Sequence, residues 1–271
     1  MSAPIVIPPG GGELIGDAPD RRVEILSDRD ELHATWTRFG PGRAGADPHL
    51  HREHTDLFYV LAGELTLMLG PDGDEVVAQA GTLARLPPLV VHGFRNAAAA
   101  ELRYLNLHAP GRGFADYMRG LRDGRAVPFD QEPPPADGVR PASEAAIGGA
   151  VPGRGRSTLH ADVDEIAVAE VAGDPGDPAQ SLHAHDRHVE SLYVLDGELA
   201  LIVVGGELVA AAGTWIQVPP GAAHAVAFRT AGRHLVLHTP NCGFGALMRE
   251  LGDDDLGRAA ARAGFDQGPV P

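Results

Sequence analysis

Apolar residues along this chain gather in short runs that Gly and Pro interrupt. Residues 22–26, 32–39, 57–61, 65–69, 76–78, 83–86 and 102–107 predict strands. Gly63-Glu64 separates two of those runs and predicts a hairpin turn. A second series follows at 192–195, 199–204, 208–210, 215–218 and 235–237, with Gly197-Glu198 at its hairpin. Residues 114–121 and 244–251 place apolar side chains at helical spacing, so a short helix is predicted at the end of each series. Many short strands with Gly/Pro turns point to an all-β sandwich or barrel. Long helices do not alternate with the strands, which argues against a doubly wound α/β sheet.

The two series are copies of one unit. His49, His51, His54, Tyr59, Gly63 and Glu64 recur in order as His183, His185, His188, Tyr193, Gly197 and Glu198. GTLARLPPLVVH (81–92) matches GTWIQVPPGAAH (213–224), and LHAPGRGFADYMR (107–119) matches LHTPNCGFGALMR (237–249). Phe129-Asp130-Gln131 returns as Phe265-Asp266-Gln267. Blocks that recur in the same order mean a duplicated domain. The predicted organisation is an N-terminal arm (1–20), a first domain (21–130), a Pro/Gly/Ala-rich linker (131–156) and a second domain (157–271).

Charge and composition narrow the partners. The 271 residues carry 37 acidic and 22 basic side chains, a net charge of −15. Such a surface repels polyanions, so nucleic acid and anionic membranes are excluded as expected partners. Every basic residue is Arg, which rules out a lysine Schiff base and a P-loop lysine. The single Cys242 cannot form an internal disulfide or a multi-Cys zinc site. No apolar run is long enough to span a membrane, and residues 1–12 lack a signal-peptide pattern, so the expected compartment is the cytoplasm.

The histidines carry the candidate chemistry. A His-x-His pair on a strand points both imidazoles to one face, so His49 with His51, and His183 with His185, can converge on one ion. Five residues after each pair comes a carboxylate, Asp56 or Glu190, and a third imidazole, His92 or His224, follows the Gly/Pro element. Three neutral nitrogens and one oxygen suit a divalent Fe, Mn, Ni, Cu, Co or Zn, one per domain, with coordination positions left open. His54 and His188 are expected to face solvent or to support the ligands from behind. His108 and His238 are expected to play an end-of-strand structural role. Arg85 and Gln217 occupy equivalent strand positions and face either the interior or the outside.

These motifs resemble those of the cupin superfamily. The first motif is carried by His49, His51, Asp56 and Gly63, and by His183, His185, Glu190 and Gly197. The second is carried by Gly81, Pro87, His92 and Asn96, and by Gly213, Pro219, Gly221 and His224. The departures are Asp56 in place of Glu, Leu89 in place of Gly, and Phe228 in place of Asn. Asp56 is one methylene shorter than Glu, which favours the Glu190 site as the four-ligand centre. The resemblance implies two tandem jelly-roll barrels, each followed by a short helix. Similarity to quercetinase-type bicupins implies a metal-dependent dioxygenase acting on a small enolisable or phenolic substrate. Glu190 would then alternate between ligand and general base, with Asp56 as the matching catalytic candidate of the first domain. A cupin isomerase or decarboxylase, and a non-catalytic metal- or small-molecule-binding protein, are the alternatives. The sequence leaves a homodimer open.

Overall fold

The computed structural model describes residues 3–153, 155–177, 181–249 and 263–269. The chain forms two compact units, Gly12–Gly149 in one and Met1–Gly11 with Ala150–Pro271 in the other. Each unit is a two-sheet, jelly-roll-like sandwich of antiparallel strands rather than a continuously closed ladder.

In the Gly12–Gly149 unit, the larger sheet runs Ala146–Ile147, Leu83–Leu86, Thr55–Ala62, Leu102–Ala109, His33–Phe39, Arg21–Asp28 and Glu13–Ala18. The smaller sheet holds Asp74–Gln79, Glu64–Leu69 and His92–Arg95. Alternation sends Phe58, Val60, Ala84 and Leu86 inward to meet Leu65 and Leu67 of the opposite sheet. The same alternation turns Tyr59 and Arg85 to the other face of their strands.

The second unit repeats this plan. Its larger sheet runs Ile5–Ile7, Trp215–Val218, Val189–Asp196, Gly232–Thr239, Ile166–Gly173, Ser157–Val163 and Val151–Pro152. Ile216 and Val218 belong to the core, so Gln217 lies on the opposite face, where its amide reaches Ser191 Oγ at 3.5 Å.

The hairpin glycines have a steric reason. Gly63 has φ +78°, and a Cβ there would fall 2.4 Å from the Glu101 carbonyl oxygen. Gly197 stands in the same position, with φ +75° and the Ala231 carbonyl 2.5 Å from a Cβ.

The arm and linker are not structureless. Ile5–Ile7 pairs with Trp215–Val218 of the second unit, and Glu13–Ala18 pairs with Arg21–Asp28 of the first. Ala146–Ile147 precedes the second unit in sequence yet pairs with Leu83–Leu86 of the first. Backbone hydrogen bonding to an open sheet edge needs no hydrophobic periodicity, so such strands leave little trace in the sequence. Ser157–Val163 and Ile166–Gly173 were likewise missed by apolar patterning, because Ala, Asp and Gly dilute their apolar positions.

Helix Phe114–Asp123 follows the first unit's last long strand and ends at Gly124, whose φ of +65° supplies a left-handed cap. Helix Phe244–Arg249 takes the same place in the second unit. Leu251, the expected end of that helix, lies outside the described residues. No described helix is long and apolar enough to cross a membrane.

Candidate metal centres

The eight expected ligands come together in two clusters, His49/His51/Asp56/His92 and His183/His185/Glu190/His224. All eight are buried, and within each cluster the candidate ligand atoms lie within 4.8 Å of one another. Register explains the convergence. His49 bridges His92 across the small sheet of the first unit, and His183 pairs with His224 in the second. The carboxylate arrives on the facing strand, Thr55–Ala62 or Val189–Asp196.

Each ligand histidine is oriented from its far side. His49 Nδ1 donates to the Asp47 carbonyl at 2.7 Å and His92 Nδ1 to the Val90 carbonyl at 2.9 Å, while His51 Nδ1 donates to the Asp130 carbonyl. The second unit repeats this with Ser181 (2.9 Å), Asp266 (2.5 Å) and Ala222 (3.0 Å) for His183, His185 and His224. A carbonyl can only accept, so each Nδ1 carries the proton and each neutral ring offers an Nε2 lone pair. Nε2 of His51 and of His92 is buried with no hydrogen-bond partner. Burial pushes His49 down to about 3 and His183 to about 4, which keeps both rings neutral and able to ligate near neutral pH.

The carboxylates differ in reach. Glu190 Oε2 lies 2.8 Å from Nε2 of both His185 and His224. Asp56 Oδ2 lies 3.4 Å from His92 Nε2 and 3.8 Å from His51 Nε2. Donor atoms about 2.1 Å from one ion and at right angles stand roughly 3 Å apart, so both clusters have the spacing of a metal's ligand set. Around Glu190, acceptor atoms face one another at contact distance, and only a cation between them or a proton on a ring relieves the repulsion. Burial lowers His224, but the Glu190 carboxylate outweighs it and pushes the ring up. Burial alone would raise Asp56, yet His108, His51 and His92 around it hold its carboxyl well below the usual range. The donor sets therefore fit a divalent transition metal.

A hydrogen-bonded chain backs the first cluster. Asp130 accepts from His54 Nδ1 at 2.9 Å, and His54 and His108 share a hydrogen bond of 2.9 Å. His108 Nε2 meets Asn106 Oδ1 at 3.1 Å, and the Asn106 amide donates to Asp56 Oδ1. His54 and His188 are buried, so of the two expected placements it is support behind the ligands, not solvent exposure, that the structure shows. His108 and His238 do more than end a strand, since each bonds the turn histidine and packs on the helix's first residue, Phe114 or Phe244. The recurring Phe-Asp-Gln segment explains itself here. Asp130 and Asp266 return from beyond the helix and hold the second histidine of each pair through a backbone carbonyl. Their recurrence was visible in the sequence, but their target was not. Asn96 ties the backbone carbonyls of Gly40 and Ala100, each at 2.8 Å, and Phe228 at the matching position packs against Gly173 instead.

The units differ in what faces the cluster. A cavity of about 540 Å³ opens on His49, His51 and Asp56, with Thr35, Thr37 and Asn106 in its walls. Across the strand pair, Thr35 stands opposite Asn106 and Thr37 opposite Tyr104. At the same register the second unit has Ala169 opposite Val236 and Val171 opposite His234. Ala169 and Val236 are part of its packed apolar core.

Comparison with known proteins agrees with this construction. The cupin-domain pattern matches residues 35–108 and 170–239, together more than half of the chain. The chain is 30% identical over 124 residues to quercetin 2,3-dioxygenase of Bacillus subtilis, a match covering 45% of this chain and 36% of that protein. Its fold is similar to the crystal structure of protein Ylba from E. coli, with a TM-score of 0.64 at 14% identity over 88% of this chain and 90% of that one. An oxalate decarboxylase variant from Bacillus subtilis gives a TM-score of 0.59 at 13% identity over 93% and 78%. At such identities the structural likeness shows the fold alone. With motifs and sheets present in both halves, this chain belongs to the cupin family and carries two cupin domains.

Proposed function

We propose that this bicupin is a metal-dependent dioxygenase acting at the first-domain cluster on a small enolisable or phenolic substrate. The observation that carries the reading is the cavity of about 540 Å³ that reaches His49, His51 and Asp56. A cavity of that size accommodates a small organic molecule. His49, His51, His92 and Asp56 would hold the metal. A bound redox-active ion supplies Lewis acidity and access to O2 chemistry.

The chain's own residues prepare the rest. Asn106 secures Asp56 Oδ1, leaving Oδ2 on the side of the histidine Nε2 atoms. Oδ2 is thus the atom placed to accept the proton of an enol or phenol. Apolar Phe39 and Phe94 line the same cavity and exclude water from one wall. The Glu190 cluster, closely spaced beside an apolar core, serves as a stabilising metal site of the second domain, with Glu190 as ligand rather than base. The match to quercetin 2,3-dioxygenase supports the reaction class.

The test is oxygen consumption by protein loaded separately with Fe, Mn, Ni and Cu, offered flavonols and β-diketones. Uptake with at least one metal, abolished in His92→Ala, is expected. No uptake across the whole panel refutes the dioxygenase reading.

A further inference from the structure

Arg21 lines the first-domain cavity, and its Nε is buried with no hydrogen-bond partner. Arg21 as a whole is half-buried, and in a cavity wall its unpartnered Nε–H is poised to receive an acceptor. Among the described residues Arg21 makes no ion pair, whereas its neighbour Arg22 is bound at 2.6 Å by both Asp17 and Glu24. Arg43, also in the lining, is paired with Asp20 at 2.8 Å.

The acidic groups of the lining leave Arg21 uncompensated. Asp56 belongs to the metal cluster, Glu132 is held at 2.7 Å by Arg52, and Asp47 is exposed. Beside Arg21, buried Tyr104 stands across the strand pair from Thr37. Burial pushes the Tyr104 phenol up, so it stays a neutral hydroxyl and adds no negative charge.

We infer that Arg21 is the anchor for a carboxylate on the substrate, so the first-domain cavity takes an aromatic or enolic acid. This assignment rests on the proposed function for the other end of the ligand. The enol or phenol lies at Asp56 and the histidines, and the carboxylate meets Arg21. Where the first-domain wall has Thr35, Asn106, Thr37 and Tyr104, the second domain has Ala169, Val236, Val171 and His234 among the described residues. Arg21 acts as a specificity residue, because a half-buried cation in the cavity wall favours an acid over a neutral isostere that cannot pair with it.

Calorimetric titration with 3,4-dihydroxybenzoate and its neutral amide, each against metal-free and metal-loaded protein, tests the anchor. A charge-assisted hydrogen bond corresponds to roughly 10- to 100-fold in affinity. Wild-type protein should prefer the acid by about that factor in both metal states. Arg21→Gln should erase the preference by weakening the acid alone, and Arg21→Lys, which keeps a cation, should restore part of it. Equal binding of acid and amide by wild type, an unchanged preference in Arg21→Gln, or binding of neither ligand overturns the assignment. A preference that survives while metal loading strengthens neither ligand sinks the metal reading and leaves the anchor standing.

Discussion

Asp130 offers the sharpest test of how the first metal site is held. Its carboxylate accepts from His54 Nδ1 at 2.9 Å and from the backbone N–H groups of Arg52 and Glu53 at 2.9 and 2.8 Å, while its carbonyl accepts from His51. Asp130→Ala removes three charge-assisted hydrogen bonds. The two backbone donors lie near the surface and regain water, which offsets most of their loss. His54 is buried at 1% exposure and cannot, so its orphaned N–H costs about 1–3 kcal/mol. Adding a remainder for the loop, the metal-free protein should lose about 2–4 kcal/mol of stability. The loop also carries the carbonyl that orients His51, and loss of such support typically weakens metal binding by about 10- to 100-fold. Urea unfolding of the metal-free protein measures the first effect, and competition against a chelating dye with Zn2+ measures the second. Asp130→Asn, which keeps an acceptor oxygen, should fall between wild type and Ala on both scales. If Asp130→Ala loses stability but keeps its metal affinity within about twofold of wild type, Asp130 is a loop staple and does not position His51.

Other consequences follow from the same geometry. Metal-loaded protein should hold two ions per chain by elemental analysis, and His92→Ala and His224→Ala should each retain one. His92→Ala should abolish turnover, while His224→Ala should chiefly lower the thermal midpoint; the reverse pattern would move the chemistry to the second domain. Leu89 adopts φ +69° where its counterpart is Gly221 at +77°. Leu89→Gly should therefore relieve roughly 1 kcal/mol of backbone strain, partly offset by lost apolar contact, and an unfolding midpoint far below wild type would contradict this. Burial pushes His33 down to about 3 and His234 to about 4. The unfolded chain protonates these rings near pH 6.5 and the folded one does not, so the unfolded state binds more protons between those values. Stability is then full above pH 6.5 and falls on acidification toward pH 4, by up to about 1.4 kcal/mol per pH unit for each ring. A flat urea midpoint for metal-free protein between pH 7 and 4.5 would refute it, and His234→Leu should reduce the slope.

Much of this molecule was legible in one dimension. The repeat encodes two domains, and His-x-His spacing with period-2 alternation places two imidazoles on one face. The same alternation, anchored by the core positions, assigns Arg85 and Gln217 to the face of their strands opposite the core, where Gln217 is buried. Asp56, one methylene shorter than Glu190, still brings its carboxylate within 3.4 Å of His92, against 2.8 Å for Glu190 and His224, because strand pairing sets the distance along with side-chain length.

What only tertiary structure decided lies in contacts between residues far apart along the chain. Asp130 meets His51 and His54 across more than seventy residues, and no local pattern encodes that return. Ile5–Ile7 and Ala146–Ile147 join sheets through backbone hydrogen bonds, which are nearly blind to side-chain type. The cavity is walled by cross-strand pairs, Thr35 with Asn106 and Thr37 with Tyr104, whose counterparts in the other domain are Ala169 with Val236 and Val171 with His234. Local spacing specifies which side chains share a face; whether the space before them stays open is set by packing from every direction at once.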